Sequence, residues 1–491
     1  MPINSFLYPA PSTPTFAYNV ANSVRLNAGD NPSGTVTQGT PTNVDKYTFS
    51  VWVKRADIGA GNSKIFSVQG SNANVEEKLE FNNDDIIWRQ TESSEGNTNW
   101  ERVTDRKFRD PSAWYHIVVA YDSSQGTAGN RCKMYINGVQ ETSFSGSSNP
   151  SSNLDSVTNT SGRALKFFAL NSNTSSQNAG AYFAEMVYID GQQLDPTSFG
   201  EFDSDSPNIW KPIDVSGLTF GNNGFYLDFE DSSALGNDVS GNNNDVTFSN
   251  ISSTDQSTDT CTNNFATINP LSIHPSSTFT ISEGNLQFAT SSSTRGYWIS
   301  TFGVSSGKWY WEYKVTNNQA RTDVGIAGAP AAGNNDPEST DTHDNVTVYL
   351  TINGQVSINS GNSTNNFYNQ ATSSNNIIIG TALDLDSSPN TIAFSIDGEW
   401  VTGSGTKSTT FSNATKINSF TNVASTVNGV YHFIAGDDGG DQDIGGQANF
   451  GGTQTYTISS GNSDGNGYGN FEYPVPSGYY SINSKNLSEF G

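Results

Sequence analysis

Carboxylates crowd into two short stretches of the chain, LDFEDSSALGNDVSGNNNDVTF and GDDGGDQDIGG. In chain order they are Asp228, Asp231, Asp238, Asp245, Asp437, Asp438, Asp441 and Asp443. Ca²⁺ prefers carboxylate and carbonyl oxygens, so both stretches are candidate Ca²⁺ sites. The spacing does not fit an EF-hand loop. Asp, Asn and Gly are also the ordinary residues of turns and acidic loops, and that alternative is favoured for both stretches.

Other residues that could do chemistry are sparse. The four histidines, His116, His274, His343 and His432, are too scattered to indicate a metal site or a catalytic triad. His116 lies in the strand-like WYHIVV, where a structural role is favoured over that of a general base. His343 lies in an acidic loop and could supply a metal ligand, although a solvated loop is the better interpretation. No Gly-rich phosphate loop joins a strand to a helix, so we predict no catalytic and no cofactor-binding residue.

Strand-like segments recur at short intervals in the first 205 residues. They are residues 47–55, 63–68, 85–90, 114–122, 131–139, 163–170 and 181–190. Turn residues separate them, and no segment of comparable length has a helical period. This pattern predicts an antiparallel two-sheet β-sandwich.

The stretch GKWYWEYKV concentrates four aromatic residues in nine positions. With a period of two, Trp309, Trp311 and Tyr313 share one face while Tyr310 and Glu312 share the other, as in a half-buried strand. Large aromatic side chains bury the most apolar area per residue, so we expect these rings in a core and not on an exposed binding platform.

Composition bounds the fold and the partners. A chain of 491 residues is too long for one core. Hydrophobic residues make up 33%, aromatic residues 12% and charged residues 14%, which indicates folded β-domains with long polar loops. The net charge of -25 argues against binding nucleic acid through its phosphates.

The sequence also bears on localisation and redox state. It contains no apolar run that could span a bilayer and no secretory signal at its N-terminus, so we expect synthesis in the cytoplasm without membrane insertion, unless another route exports the chain. Two cysteines do not make a disulfide scaffold. Cys132 alternates with apolar residues in RCKMYI, which predicts a small buried side chain.

Two motifs in the first half carry a family resemblance. WYHIVVAYDSSQGTAGNRCKMYINGV and FAEMVYIDGQQL resemble the laminin-G-like, concanavalin-A-like lectin fold. The Asn137-Gly138 pair is also a strong hairpin signal by itself. Glucanases of this fold use an E-x-D-x-x-E pattern of carboxylates, which is absent here. Glu185 and Asp190 come closest, but their separation places them on opposite faces of a strand, so we expect a non-enzymatic protein.

The second half resembles the SPRY domain. Its motifs are Gly307 followed by Tyr310-Trp311-Glu312, the NTIAFSIDGEW hairpin with an Asp397-Gly398 turn, and GQANFGG. The resemblance implies a second β-sandwich whose loops contact partners. The long polar loops at residues 330–345, 357–376 and 403–421 are the candidate binding surface.

We therefore predict an all-β chain of two antiparallel, jelly-roll-like β-sandwich domains joined by an Asn/Asp/Gly-rich connector. The expected boundaries are 1–20 for a docking arm, 21–205 for the first sandwich, 206–275 for the connector, 276–452 for the second sandwich and 453–491 for a C-terminal extension. The connector is either a third small domain or part of a neighbouring one. The arm, with Phe6, Tyr8, Phe16 and Tyr18, either docks the chain onto a larger particle or packs along the first sandwich.

The ordered motifs NSFLYP, SVRLN, FSVWVKR, WKP and YGNFEYPVPSGYYSINSKNL look like those of structural proteins of tailed marine bacteriophages, often labelled tail fibre proteins. This resemblance implies a virion protein, most simply a homo-oligomer and a trimer if it is a fibre, that contacts other virion proteins and binds a host-surface glycan or receptor. The alternative is a capsid or tail decoration or adaptor protein that binds no receptor. A polysaccharide depolymerase is a third, weaker alternative, since no acid/base pair is visible.

Overall fold

The structure is a computed structural model. It describes residues 18–70, 75–91, 98–171, 177–273, 279–290, 296–317, 322–328, 347–351, 356–358, 375–402, 406–418, 420, 426, 429–437 and 444–491. Of the loops expected to contact partners, residues 330–345 lie wholly outside this set, and residues 357–376 and 403–421 lie partly outside it. Their binding role stays a prediction.

The strands of the first sandwich and its periphery run to residue 257. They are β1 (Ser23–Leu26), β2 (Ser33–Thr37), β3 (Lys46–Arg55), β4 (Ser63–Gln69), β5 (Glu76–Asn82), β6 (Asp85–Thr91), β7 (Thr98–Thr104), β8 (Trp114–Asp122), β9 (Cys132–Ile136), β10 (Val139–Gln140), β11 (Phe144–Ser148), β12 (Ala164–Phe167), β13 (Ala181–Asp190), β14 (Gly200–Phe202), β15 (Trp210–Pro212), β16 (Phe225–Leu227), β17 (Thr247–Ser249) and β18 (Gln256–Ser257).

These strands form two antiparallel sheets and a ribbon. The first sheet has the order β10-β9-β8-β3-β13-β1-β18, with β16 also paired to β13. The second has the order β11-β7-β6-β5-β4-β12-β2-β17, and β14 pairs with β15 alone. Inward side chains such as Val51 and Val119 from the first sheet and Leu79 and Trp88 from the second build a continuous core. The predicted antiparallel sandwich is confirmed, and Asn137 and Gly138 turn with φ of 48° and 78° between β9 and β10.

Much of the predicted connector belongs to this sandwich. Within residues 206–275, β16 pairs with β13, β17 with β2 and β18 with β1. Phe225, Leu227 and Val246 lie in its core. The predicted boundary at residue 205 therefore cuts through the sandwich, because apolar residues of a polar-looking segment complete both sheets.

The second sandwich follows directly. Its strands are β19 (Ile268–Ile273), β20 (Phe279–Ser282), β21 (Gln287–Thr290), β22 (Gly296–Val304), β23 (Lys308–Asn317), β24 (Thr322–Gly328), β25 (Thr347–Thr351), β26 (Val356–Ile358), β27 (Ile378–Asp384), β28 (Thr391–Ile396), β29 (Glu399–Thr402), β30 (Thr406–Ser408), β31 (Tyr431–Asp437) and β32 (Gly445–Asn449). They form two antiparallel sheets with the orders β19-β22-β31-β24-β25-β26 and β20-β21-β32-β23-β27-β28-β29-β30. The Asp397-Gly398 turn connects β28 to β29 with φ of 50° and 78°.

Strand β23 is the aromatic stretch of the sequence, and its residues 309–313 are buried on both faces. Trp309, Trp311 and Tyr313 lie in the main core of the second sandwich, as predicted. Tyr310 and Glu312 on the opposite face are also fully buried, so the prediction of a half-buried strand is wrong for the middle of β23. The C-terminal residues cover this face: Tyr310 packs in a second cluster with Phe471 and Tyr479.

Glu312 binds the C-terminal residues 453–491, here called the C-terminal cover, to the sheet. Its Oε1 accepts hydrogen bonds from the Tyr310 hydroxyl (3.0 Å) and the Tyr473 amide (2.9 Å), while Oε2 accepts from the Tyr456 hydroxyl and the Glu472 amide (both 3.0 Å). Burial raises the pKa of Glu312, and these hydrogen bonds oppose that shift. The carboxylate therefore ties two parts of the C-terminal extension, at Tyr456 and at Glu472–Tyr473, to one strand.

The helices are short. Among the described residues, the α-helix α1 spans Ser484–Phe490, and five single-turn 3₁₀ helices span Ala28–Asp30, Ala128–Asn130, Pro196–Ser198, Ser253–Asp255 and Phe411–Asn413. Asn483 caps α1 by accepting a hydrogen bond from the Asn486 amide at 3.0 Å. Across the described segments, no helix has the length and apolar character that a membrane crossing requires.

Buried polar contacts join the two sandwiches. The Lys54 ammonium of β3 contacts Asp259 (2.7 Å), Asn264 (2.8 Å) and the Phe265 carbonyl (2.8 Å). The Tyr182 hydroxyl of β13 donates to the Gly284 carbonyl at 2.8 Å. The link between the sandwiches is therefore packed against the first sheet.

Candidate functional site

A cleft of about 700 Å³ opens between the outer face of the first sheet and the C-terminal residues. Trp52, Trp114 and Trp210 line it on the side of the sheet. On the other side it is lined by Tyr468 and by four residues of α1, which are Ser484, Lys485, Ser488 and Glu489. Ala113, Ile209, Cys261 and Asn264 complete the lining. This size is within the range of small-molecule binding sites.

Side chains alternate between the two faces of the first sheet, and this alternation determines where its tryptophans point. Val51 and Val53 of β3 point into the sandwich core, so Trp52 between them points outward. Trp114 opens the neighbouring β8, opposite Lys54. Trp210 comes from β15, which lies outside the two sheets. The three indoles keep 4%, 9% and 8% of their surface exposed, so packing holds them in place.

His116 fixes the orientation of two of these indoles. Its ring stacks on Trp52, with centroids 4.7 Å apart, and the Trp210 Nε1–H donates to His116 Nδ1 at 2.9 Å. Because an indole N–H only donates, Nδ1 carries the lone pair and Nε2–H donates to the Ser50 hydroxyl at 2.8 Å. Burial lowers the pKa of His116 to about 3, so the ring is neutral at physiological pH. These contacts agree with the predicted structural role of His116.

A buried ion pair supports Trp114 from behind. Its Nε1–H donates to Asp259 Oδ1 at 3.1 Å, and Asp259 Oδ2 contacts Lys54. Both charged side chains are 1% exposed. Burial lowers the pKa of Lys54 and raises that of Asp259, and each partner opposes the shift of the other. The floor of the cleft is therefore rigid on this side as well.

Hydrogen bonds also hold the polar side chains of the cleft in place. The Lys485 ammonium donates to Asn19 Oδ1 at 2.5 Å and lies 5.5 Å from the Tyr468 ring centroid. Glu489 Oε2 accepts from Asn466 Nδ2 at 3.0 Å. An ammonium, a carboxylate and serine hydroxyls thus face aromatic and aliphatic groups. Such a lining can pair with hydroxyl groups of a ligand while it packs against the ligand's apolar faces.

Glu185 is a second unusual group near the cleft. It lies on a β-bulge of β13, with φ of 50°, where the register with β3 shifts between Ala184 and Val187. Its Oε2 accepts from the Tyr226 hydroxyl at 2.8 Å and from the Tyr18 hydroxyl at 3.1 Å. Burial raises the pKa of Glu185 to about 8, and the two phenols oppose the shift.

Ionisation of the Glu185 carboxyl group should lower the free energy of unfolding as the pH rises. The pKa of Glu185 is higher in the folded chain than its ordinary value of 4.5, so ionisation costs the folded state free energy as pH rises from 4.5 to about 8. We expect Glu185→Gln to gain stability over the natural chain in that window, by up to about 1.4 kcal/mol per pH unit. Denaturant titrations at pH 5 and pH 9 measure the difference in the free energy of unfolding between the variant and the natural chain. Asp205→Asn, at an exposed position, is the control. An advantage of Glu185→Gln that is equal at the two pH values would contradict this assignment.

The carboxylates of the first candidate Ca²⁺ stretch serve turns. Asp228 and Asp231 each accept a backbone amide two residues ahead, from Glu230 and Ser233. Asp238 accepts amides from Tyr226, Ser240 and Asn244, and Asp245 accepts the Asp238 amide. These contacts support the turn alternative. In the part of the chain that the structure describes, no three His, Cys, Asp or Glu side chains come together as metal ligands.

The second stretch falls mostly outside the described residues. Asp437 ends β31, while Asp438, Asp441 and Asp443 lie beyond the described part. His274 and His343 also lie outside it, so the predicted roles of these residues stay predictions. Cys132 is buried and free, as predicted, and Cys261 is free and partly exposed in the cleft lining.

Sequence reasoning missed the cleft because its residues are far apart in the chain. Trp52, Trp114 and Trp210 are separated by at least one whole strand each, and Lys485 lies in a helix too short to show a period. One available signal was the period of two, which puts Trp52 on the same strand face as Ser50 and Lys54, and Trp114 on the same face as His116. A second was the SINSKNLSEF stretch, in which Asn precedes a helix-forming run.

Comparison with known proteins identifies the first sandwich. The family described as Concanavalin A-like lectin/glucanases superfamily (Laminin_G_3) matches residues 28–172. No curated protein matches the chain. Residues 28–172 thus match a concanavalin A-like lectin domain, as the sequence motifs indicated.

Three solved structures are similar to this chain at low identity and low TM-score. Domains LG4-5 of the mouse laminin alpha1 chain are 11% identical, with 94% of this chain and 98% of that chain covered and a TM-score of 0.30. The SPRY domain of human HERC1 is 15% identical over 39% of this chain and 99% of that chain, with a TM-score of 0.27. The heptameric SAP-like pentraxin of Limulus polyphemus is 14% identical over 36% and 80%, with a TM-score of 0.27.

Proposed function

We propose that the chain is a non-enzymatic bacteriophage virion protein that attaches the particle to the host surface, and that the tryptophan-lined cleft binds a host saccharide. The observation that carries the binding role is the lining itself. Three fixed indoles face an ammonium, a carboxylate and hydroxyl groups across about 700 Å³. Sugars present apolar C–H faces and many hydroxyls, so they need both kinds of surface at once.

The absence of an acid/base pair in this lining supports binding over hydrolysis. Among the described residues that line the cleft, Glu489 is the single carboxylate. Glycoside hydrolysis ordinarily uses two carboxyl groups on either side of the scissile bond. A binding site of this kind is weak by itself, and many copies on one particle raise the avidity through effective concentration.

The virion role is supported by the motif resemblance of the sequence and by its acidic, polar character. We propose a homo-oligomer, trimeric if the chain forms a fibre, which contacts other virion proteins at surfaces away from the cleft. The decoration or adaptor alternative requires the same soluble β-domains, so the position of the chain on the particle separates the two roles.

Electron microscopy of intact phage tests this role. We expect immunogold label against the second sandwich to lie on fibres or at the tail tip, because an attachment protein must reach the host first. Label against an internal head protein of the same phage serves as the control. Label over the capsid faces would favour the decoration role, and an unlabelled particle would refute the virion assignment.

A further inference from the structure

Exposed apolar side chains cluster around Trp210 beside the cleft. Of the five large hydrophobic side chains that are exposed in the described residues, three lie here: Val139 (54%), Phe202 (44%) and Ile209 (37%). The Phe202 ring centroid lies 4.9 Å from that of Trp210, and Ile209 is itself part of the cleft lining. Val139 follows Gly138, whose backbone lies against the Trp210 ring. These three side chains, here called the outer patch, therefore continue the lining of the cleft onto the protein surface.

The turn between β14 and β15 holds Phe202 and Ile209 in place. Phe202 pairs with Trp210 across the two strands, so their side chains share one face of the ribbon. The Asp203 amide donates to the Ile209 carbonyl at 2.8 Å. Asp203 Oδ1 accepts two amides of the turn, and its Oδ2 accepts a hydrogen bond from the Lys211 ammonium at 3.0 Å. Because the turn is fixed before a ligand arrives, binding to Phe202 requires little further ordering of the protein.

Charge and surface character indicate which ligand fits the cleft and the outer patch together. The patch side chains are uncharged. Among the described residues that line the cleft, Lys485 is the one ammonium and Glu489 the one carboxylate, so their charges cancel. The net charge of -25 on the whole chain repels acidic polysaccharides. Neutral sugar rings have apolar C–H faces that can pack on an exposed aromatic ring and hydroxyls that can pair with the polar groups of the cleft.

We propose that the outer patch is a second subsite of the cleft, and that the ligand is a neutral glycan chain that extends out of the cleft over Phe202. One sugar unit lies among the indoles and polar groups of the cleft. A following unit packs on the Phe202 ring, flanked by Val139 and Ile209. The chain then recognises a stretch of polysaccharide and not a single terminal sugar. This inference rests on the proposed function, since it requires that the cleft binds a saccharide.

Isothermal titration calorimetry of the full-length chain with fragments of a host-surface polysaccharide tests the second subsite. Partial acid hydrolysis supplies the fragments, ion exchange separates neutral from acidic ones, and the neutral ones are sorted by length from single sugars upward. We expect the natural chain to bind long neutral fragments about tenfold more tightly than single sugars, because only long fragments reach Phe202. Phe202→Ser should remove this preference and leave single-sugar binding unchanged. Phe202→Tyr keeps the ring and should retain the preference, as should Leu271→Ser at an exposed apolar residue of β19.

Distinct results would overturn the second subsite. One is a natural chain that binds short and long fragments equally, and another is a length preference that Phe202→Ser reduces no more than Leu271→Ser does. Binding of acidic fragments alone would contradict the neutral ligand. Dimerisation of the natural chain in light scattering, abolished by Phe202→Ser, would assign the outer patch to a second copy of the chain. No binding of any fragment would instead contradict the proposed saccharide binding of the cleft, on which the subsite rests.

Discussion

Glu312→Ala is expected to lower the free energy of unfolding by about 3–5 kcal/mol, because it leaves buried hydrogen-bond donors without an acceptor. The donors are the hydroxyls of Tyr310 and Tyr456 and the amides of Glu472 and Tyr473. The two hydroxyl bonds are buried and the two amide bonds are part-buried, so the hydroxyls of Tyr310 and Tyr456 contribute most to the expected loss. The loss should therefore appear as detachment of residues 453–491 from β23 before the sandwich core unfolds.

Chemical denaturation and limited proteolysis measure this effect. Glu399→Ala on β29 of the same sheet is the matched control, since its side chain is 45% exposed and its contact is an ion pair with Lys407. A change of about 0–1 kcal/mol is expected there. Glu312→Gln should be intermediate, because it keeps one acceptor oxygen and turns an amide group toward donors. A Glu312→Ala chain as stable as Glu399→Ala would show that the carboxylate does not hold the cover.

Detachment of the cover has a functional consequence. Tyr468 and α1, which form the polar side of the cleft, belong to the same C-terminal residues that Glu312 anchors. Loss of the anchor should therefore weaken the proposed saccharide binding at the cleft. The C-terminal segment and the contacts of Lys54 both connect the two sandwiches.

The sequence was most informative where a period of two decides the structure. Trp309, Trp311 and Tyr313 alternate as core residues must, and the Asn137-Gly138 and Asp397-Gly398 pairs turn where their permitted φ values predict. These signals are local. They require only that neighbouring residues share one strand or one turn.

The features that the sequence did not predict depend on contacts between segments that are far apart in the chain. Burial of Glu312 requires residues 144 and 160 positions later in the chain, at Tyr456 and Glu472. Similarly, a regular strand would point the Glu185 side chain into the core. The bulge turns it toward Tyr18 and Tyr226 instead. Local periodicity contains no information on such partners, so the cover, the bulge and the cleft could not be predicted.

Ser488→Trp is expected to weaken saccharide binding at least 100-fold, about 2.7 kcal/mol. Ser488 is exposed on α1 and lines the cleft opposite the tryptophans, so an indole there fills the space a sugar ring would occupy. The exposed position should leave stability close to that of the natural chain. Ser147→Trp, at an exposed position of β11 in the second sheet, adds the same side chain away from the cleft.

Equilibrium binding of purified host-surface polysaccharide to the natural chain, Ser488→Trp and Ser147→Trp tests the central claim most directly. The natural chain and Ser147→Trp should bind equally, while Ser488→Trp should lose binding without losing stability. Equal binding by all three proteins would place the saccharide outside the cleft, and no binding by the natural chain would contradict the proposed attachment role.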